Sequence, residues 1–101
     1  MIKVEITREK NDIKSIEIKG HSKAAEYGFD LVCAATSALI TSCFNSLNDV
    51  SKFDLILDEG YSLIEVIDVI DEHDKVVLEV IEKGLKTIAE DNKKFIKIKE
   101  N

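Results

Sequence analysis

Ile2, Val4 and Ile6 alternate with Lys3, Glu5 and Thr7 at the start of the chain, the period-two pattern of a strand with one buried face. Asn11-Asp12 offers a turn. Ile16 and Ile18 then line one side of a second strand that stops at Gly20, so the two strands read as a hairpin. Residues 21–29 show no periodicity and predict a Gly-containing loop. From about 31 to 49, Leu31, Val32, Ala34, Ala35, Ala38, Leu39, Ile40, Phe44 and Leu47 cover most of a helical circumference, which calls for cover on several sides. Phe53, Leu55 and Leu57 alternate into a third strand, Asp58-Glu59-Gly60 turns, and Ser62 to Ile70 reads as a fourth strand, giving a second hairpin. Val76, Val77, Val80, Ile81, Leu85, Ile88 and Ala89 recur at helical spacing and predict an amphipathic helix over about 73–91. Gly84 inside it costs about 1 kcal/mol relative to Ala, a sign of close packing on its neighbour. Phe95, Ile96 and Ile98 close with a fifth strand. The order β-β-α-β-β-α-β predicts an α+β sandwich with two helices packed on a mostly antiparallel sheet.

The 101 residues contain no proline and no Gly- or Ser-rich linker, so a single domain over 1–101 is expected. A chain this small buries a modest share of its surface, and a second copy is a natural supplement. The alternating first six residues are unlike a signal peptide, and a cytoplasmic location is expected. Residues 31–48 carry no charge, yet Thr36, Ser37, Thr41, Ser42, Asn45, Ser46 and Asn48 are too many polar groups for a membrane span of about 20 apolar residues. No membrane partner is expected.

Lysine and arginine total 14 against 20 acidic residues, a net charge of −6, and Arg8 is the single arginine. Nucleic-acid binders present a basic, arginine-bearing face, so direct nucleic-acid binding is not expected and a basic partner is favoured. Cys33 and Cys43 stand ten residues apart on one helix, about 15 Å along its axis. A disulfide needs Cα atoms within about 7 Å, so they cannot bridge each other, which suits a reducing compartment.

The candidate chemistry lies around the uncharged stretch. If Asp30 caps the helix, Cys33 falls in its first turn, where open N–H groups and the helix dipole favour a thiolate. His21 follows Gly20 on the preceding loop, and a thiol with a nearby imidazole has the makings of a cysteine nucleophile and its base. Asp30 opposes a second negative charge at the sulfur, so capping comes first among its roles, with orienting protonated His21 as the alternative. Ser37, four residues on, shares a helical face with Cys33; spacing gives it proximity and no more. Other readings stand beside these. A cysteine in an Ala-rich helix is commonly a small core residue, and a lone histidine commonly lies in a turn or on the surface. Cys43, with no cap or histidine beside it, reads as core. Ile40, Phe44 and Leu47 continue the Cys33-Ser37 face as core or as a docking stripe for a second subunit. His73 reads as a solvated residue at the start of the second helix. His21, His73, Cys33 and Cys43 contain no close ligand pair, so no metal site is expected.

Gly20-His21-Ser22, a short loop, and then Gly28-Phe29-Asp30-Leu31-Val32-Cys33-Ala34-Ala35-Thr36-Ser37 resembles the signature of the ribosomal-processing cysteine proteases, and the terminal strands fit that family as well. The resemblance implies an endopeptidase that removes a short N-terminal extension from large-ribosomal-subunit protein twenty-seven. It further implies a homodimer, Cys33 as nucleophile, His21 as base, a supporting signature of Gly20, Gly28, Asp30 and Ser37, and no cofactor. A basic ribosomal peptide as partner agrees with the acidic balance. The sequence departs from the family where Ala is commoner than Ser22, Ile than Leu31 and Val than Thr36, which leaves the chemistry in place and puts fine specificity in doubt. The competing expectations are a non-catalytic dimeric factor that binds a ribosomal peptide in a groove beside the Cys33 helix, and a thiol redox sensor, the latter weakened by the lack of a nearby resolving cysteine.

Overall fold

A computed structural model of the protein describes residues 1–20 and 29–101, with Phe29 and Asp30 described through their backbone. Strands β1 (Ile2–Glu9) and β2 (Asp12–Lys19) pair antiparallel. Their connection is Lys10-Asn11, at φ 52° and 70°. Two consecutive left-handed residues match the right-handed twist of the flanking strands, so the turn sits one residue earlier than Asn11-Asp12 suggested and Asp12 pairs with Glu9. The register slips between Thr7, opposite Ser15, and Arg8, opposite Ile13. The extra residue, Lys14, lets Ile13 and Ile16 both reach the buried face although they stand three apart.

Helix α1 (Phe29–Ser46) leads through a short 3-10 turn at Val50–Lys52 into β3 (Phe53–Asp58) and β4 (Tyr61–Val66), then α2 (Glu72–Asp91) and β5 (Ile96–Glu100). The strand order is β3-β4-β2-β1-β5, antiparallel throughout except where β5 runs parallel to β1, with Ile96 opposite Ile2 and Ile98 opposite Val4. The expected α+β sandwich of two helices on a mostly antiparallel sheet is therefore the architecture found. The fourth strand stops at Val66 rather than Ile70. Its partner β3 begins at Phe53, directly opposite Val66, and Ile67 instead donates its N–H to the Lys52 carbonyl at 2.9 Å. Helix α1 ends three residues before the expected 49. The Asn48 and Asp49 N–H groups are taken at 2.8 and 3.3 Å by the two carboxylate oxygens of Asp74 on α2.

Ile2, Val4, Ile6, Ile16, Ile18, Ile64 and Ile96 project from one side of the sheet into a core closed by Val32, Ile40, Cys43 and Leu47 from α1 and the residue after it, and by Leu78, Ile81 and Leu85 from α2. Helix α2 packs over β2 and β5, its buried Glu82 paired with Arg8 of β1, so α1 beside it covers the β3–β4 end. Asp71 caps α2 by accepting the Asp74 N–H at 2.7 Å. No helix among the described residues is long and apolar enough to cross a membrane.

Candidate functional site

Helix α1 begins at Phe29, two residues before the expected start, so Asp30 lies inside the first turn and does not precede the helix as its N-cap. Both Gly and Asp are common at helix starts, which is why the sequence alone misplaces the boundary. Cys33 becomes the fifth helical residue, beyond the four N–H groups a helix leaves open. Helical side chains lean back toward the N-terminus, which keeps Cys33 close to the first turn and its open N–H groups.

Burial sorts the residues of α1 onto three flanks. Val32, Thr36, Ile40, Cys43 and Leu47 face the sheet and are buried, and Leu39 faces Gly84 of α2. Cys33, Ser37 and Phe44 are half-buried on the flank away from α2, Cys33 standing about 60° around the helix from the residues that face the sheet. Cys33 and Phe44 touch the edge of the core cluster without being enclosed by it. Of the expected stripe, Ile40 and Leu47 are core residues, and Phe44 stays on the open flank.

The two cysteines therefore differ in kind. Cys43 is 0% exposed, and burial, reinforced by the negative charge of Asp74, pushes its thiol up to about 12, so it remains protonated and packs as a core residue, as expected. No disulfide joins it to Cys33. Cys33 has an outlet to solvent that Cys43 lacks.

Gly20 has a structural role that its place in the motif did not reveal. Its φ is +93°, and a Cβ there would come within 2.5 Å of the Met1 carbonyl oxygen. Its N–H donates to the Gly60 carbonyl at 3.0 Å, which ties the end of β2 to the β3–β4 turn. The short path from Ser46 to Phe53 puts the C-terminal end of α1 where β3 begins. Cys33, near the other end of an α1 about 27 Å long, thus lies at the end of the sheet that holds Gly20, Leu57 and Gly60. His21, Ser22 and Gly28 lie outside the described residues, and with them the expected meeting of His21 and Cys33.

Asp74 is a buried polar residue that sequence reasoning missed, as is Glu82. Burial alone would raise its carboxyl, but hydrogen bonds from the Asn48 N–H, the His73 ring and the Asp49 N–H together hold it below the usual carboxylate range. The Asp71-x-x-Asp74 spacing marks the helix start, but nothing local announces partners 25 and 26 residues away. His73 is exposed at the start of α2, as expected. With Asp71 and Asp74 it forms a close group whose atoms already serve the cap and the α1–β3 connection.

The family profile of cysteine protease Prp matches residues 1–97. The ribosomal processing cysteine protease Prp of Bacillus subtilis (strain 168) is 30% identical over 97 residues, covering 88% of this chain and 87% of its own. The solved structure of an essential ribosomal processing protease Prp from S. aureus in complex with a substrate peptide superposes with a TM-score of 0.84 at 27% identity, covering 100% of both chains. The same S. aureus protease in complex with a covalently linked product peptide gives a TM-score of 0.80 at 28% identity, again over 100% of both chains. The chain shares its α+β fold with those proteases over its whole length, and the protein belongs to the cysteine protease Prp family.

Proposed function

We propose that this protein is a cytoplasmic, homodimeric cysteine endopeptidase that removes the N-terminal extension of a large-subunit ribosomal protein, protein twenty-seven, with Cys33 as nucleophile and His21 as its base. The observation that carries the reading is the contrast between the two thiols of α1, Cys43 sealed in the core and Cys33 half-buried on the flank that opens outward. Support for His21 comes from its place in the sequence directly after Gly20, whose backbone is anchored to Gly60 at the end of the sheet near which α1 begins.

In the proposed reaction His21 takes the thiol proton and the Cys33 sulfur attacks the scissile carbonyl carbon. N–H groups in the first turn of α1 receive the oxyanion. The C–N bond breaks as the imidazolium returns its proton to the leaving amine, and a thioester remains on Cys33. Water, deprotonated by His21, attacks that thioester, and the S–C bond breaks to restore the thiol. The chemistry requires no cofactor. The net charge of −6 favours a basic ribosomal peptide as substrate. The second subunit of the homodimer fits the outer surface of the two helices, where Ala35 and Ala38 of α1 stand beside Gly84 and Ile88 of α2, and Ser42 and Ser46 stand beside exposed Val76 and Val80.

The test is cleavage of a peptide spanning the extension. The parent protein is expected to cut it, and Cys33→Ser to bind without cutting. Cutting that persists in Cys33→Ser would remove the peptidase reading, and binding without cleavage by the parent would establish the non-catalytic peptide-binding module instead.

A further inference from the structure

We propose that the outer edge of β3 receives the substrate as an added strand, so that the peptide's own backbone extends the sheet and its scissile bond comes to rest beside Leu57, beneath Cys33. The proposal rests on the peptidase reading and names the surface that reading leaves unassigned. Among the described residues the sheet has two edges, β3 and β5. An edge strand offers a row of N–H and C=O groups to any extended chain, and lysines along it discourage such pairing. β5 reads Ile-Lys-Ile-Lys-Glu and is guarded in this way. β3 reads Phe-Asp-Leu-Ile-Leu-Asp, has no lysine, and leaves Ile56 36% and Leu57 47% exposed.

The unguarded edge is also the one next to the nucleophile. α2 lies over β2 and β5, which leaves the β3–β4 end of the sheet to α1 beside it; the Cys33-Ser37-Phe44 flank of α1 is turned away from α2, and the chain path from Ser46 to Phe53 sets Cys33 toward the end where β3 finishes. Cys33, about 60° around the helix from the residues that face the sheet, projects from the side of α1 turned away from α2, toward the space an added strand would fill. β3 spans about 20 Å, the reach of about six peptide residues. Alternate side chains of such a peptide would meet Leu55, Leu57 and Phe44 on the helix side, and Asp54, Ile56 and Asp58 on the other. The two exposed aspartates favour cationic residues at the second set of positions.

The experiment uses the full chain carrying Cys33→Ala and an uncut peptide spanning the ribosomal protein's extension, with its backbone amides N-methylated one at a time. Strand pairing predicts losses of about tenfold at alternate amides and little change between them, because successive N–H groups point to opposite sides of a strand. Hydrogen exchange of the complex should slow at β3 amides and not at β5. Tight binding that tolerates every N-methyl group, or protection confined to β5 or to the α1–α2 face, would overturn the proposal. Failure of the parent to cut the unmethylated peptide while the alternating pattern persists would overturn the peptidase reading and leave the docking edge standing; absence of binding overturns both.

Discussion

Gly84 of α2 lies directly against Leu39 of α1, so close that a Cβ at position 84 would come within 2.9 Å of both Leu39 methyl carbons. The contact explains a glycine in the middle of a 20-residue helix. Gly84→Ala should gain up to about 1 kcal/mol of helix propensity and lose a similar amount as Leu39 leaves its rotamer, for a net change within about 1 kcal/mol. In a Leu39→Ala background the same change should deliver the full gain. A denaturant double-mutant cycle should therefore return a coupling of about 0.5–1 kcal/mol, and strict additivity would refute the contact.

Acid should unfold the protein partly through Asp74 and Glu82. Burial alone would raise the Glu82 carboxyl, but hydrogen bonds from Arg8 and Lys86 hold it below the usual range, and Asp74 is held low by the Asn48, His73 and Asp49 donors. A carboxyl whose folded pKa is depressed contributes stability above its unfolded value, here 4.5 for Glu82 and 3.8 for Asp74, and loses it as pH falls through the folded value. Melting temperature should be flat above about pH 5 and fall steeply below about pH 4. Glu82→Gln and Asp74→Asn should each flatten that fall while lowering stability at pH 7. Asp74→Ala, which orphans two N–H groups at the α1–β3 connection, should cost about 2–4 kcal/mol.

Thr36 is 0% exposed, and its hydroxyl oxygen finds no hydrogen-bond partner among the described residues. Thr36→Val keeps the shape and removes an unsatisfied polar atom. It should stabilise the fold by about 1 kcal/mol, read as a higher denaturant midpoint at unchanged slope.

The two thiols should separate by reagent. Iodoacetamide at pH 8 should label Cys33 in the folded protein, and Cys43, sealed and pushed up to about 12, should label only after denaturation. Peptide mass mapping checks the assignment, and equal labelling of both in the folded state would contradict the burial pattern.

Gly20→Ala places a Cβ against the Met1 carbonyl at a φ of +93°. A cost of about 2 kcal/mol or more is expected. A thermal or denaturant melt of the variant checks it, and a stability unchanged from the parent would contradict the close approach of Gly20 to Met1.

Most of the fold was legible because local chemistry and tertiary packing agreed. Ile2-Val4-Ile6 alternate and form β1, and Val76 to Ala89 recur at helical spacing and form α2. The misses fall where a distant group decides. Ser62–Ile70 carries strand-like residues to its end, but β3 runs out opposite Val66. Asn48 and Asp49 look like more of α1 until Asp74 takes their N–H groups. Lys10 carries no sign that it will adopt a left-handed φ. Within the candidate site, Cys43 was legible as a core residue because no cap or histidine stands beside it. Gly20's close approach to Met1 was not, because that neighbour is nineteen positions away in the chain, and Asp30 as cap failed because Gly28-Phe29-Asp30 allows more than one helix start.

The parallel pairing of β1 with β5 has a consequence for biosynthesis. Ile2 of β1 finds its sheet neighbour in Ile96, which is made ninety-four residues later, and the Ile6 carbonyl accepts the N–H of Asn101 at 2.8 Å. The hairpin of β1 and β2 can form early, but one side of β1 stays uncovered until translation has run past residue 100. A nascent chain stalled short of that point would expose a row of isoleucines and valine to chaperones.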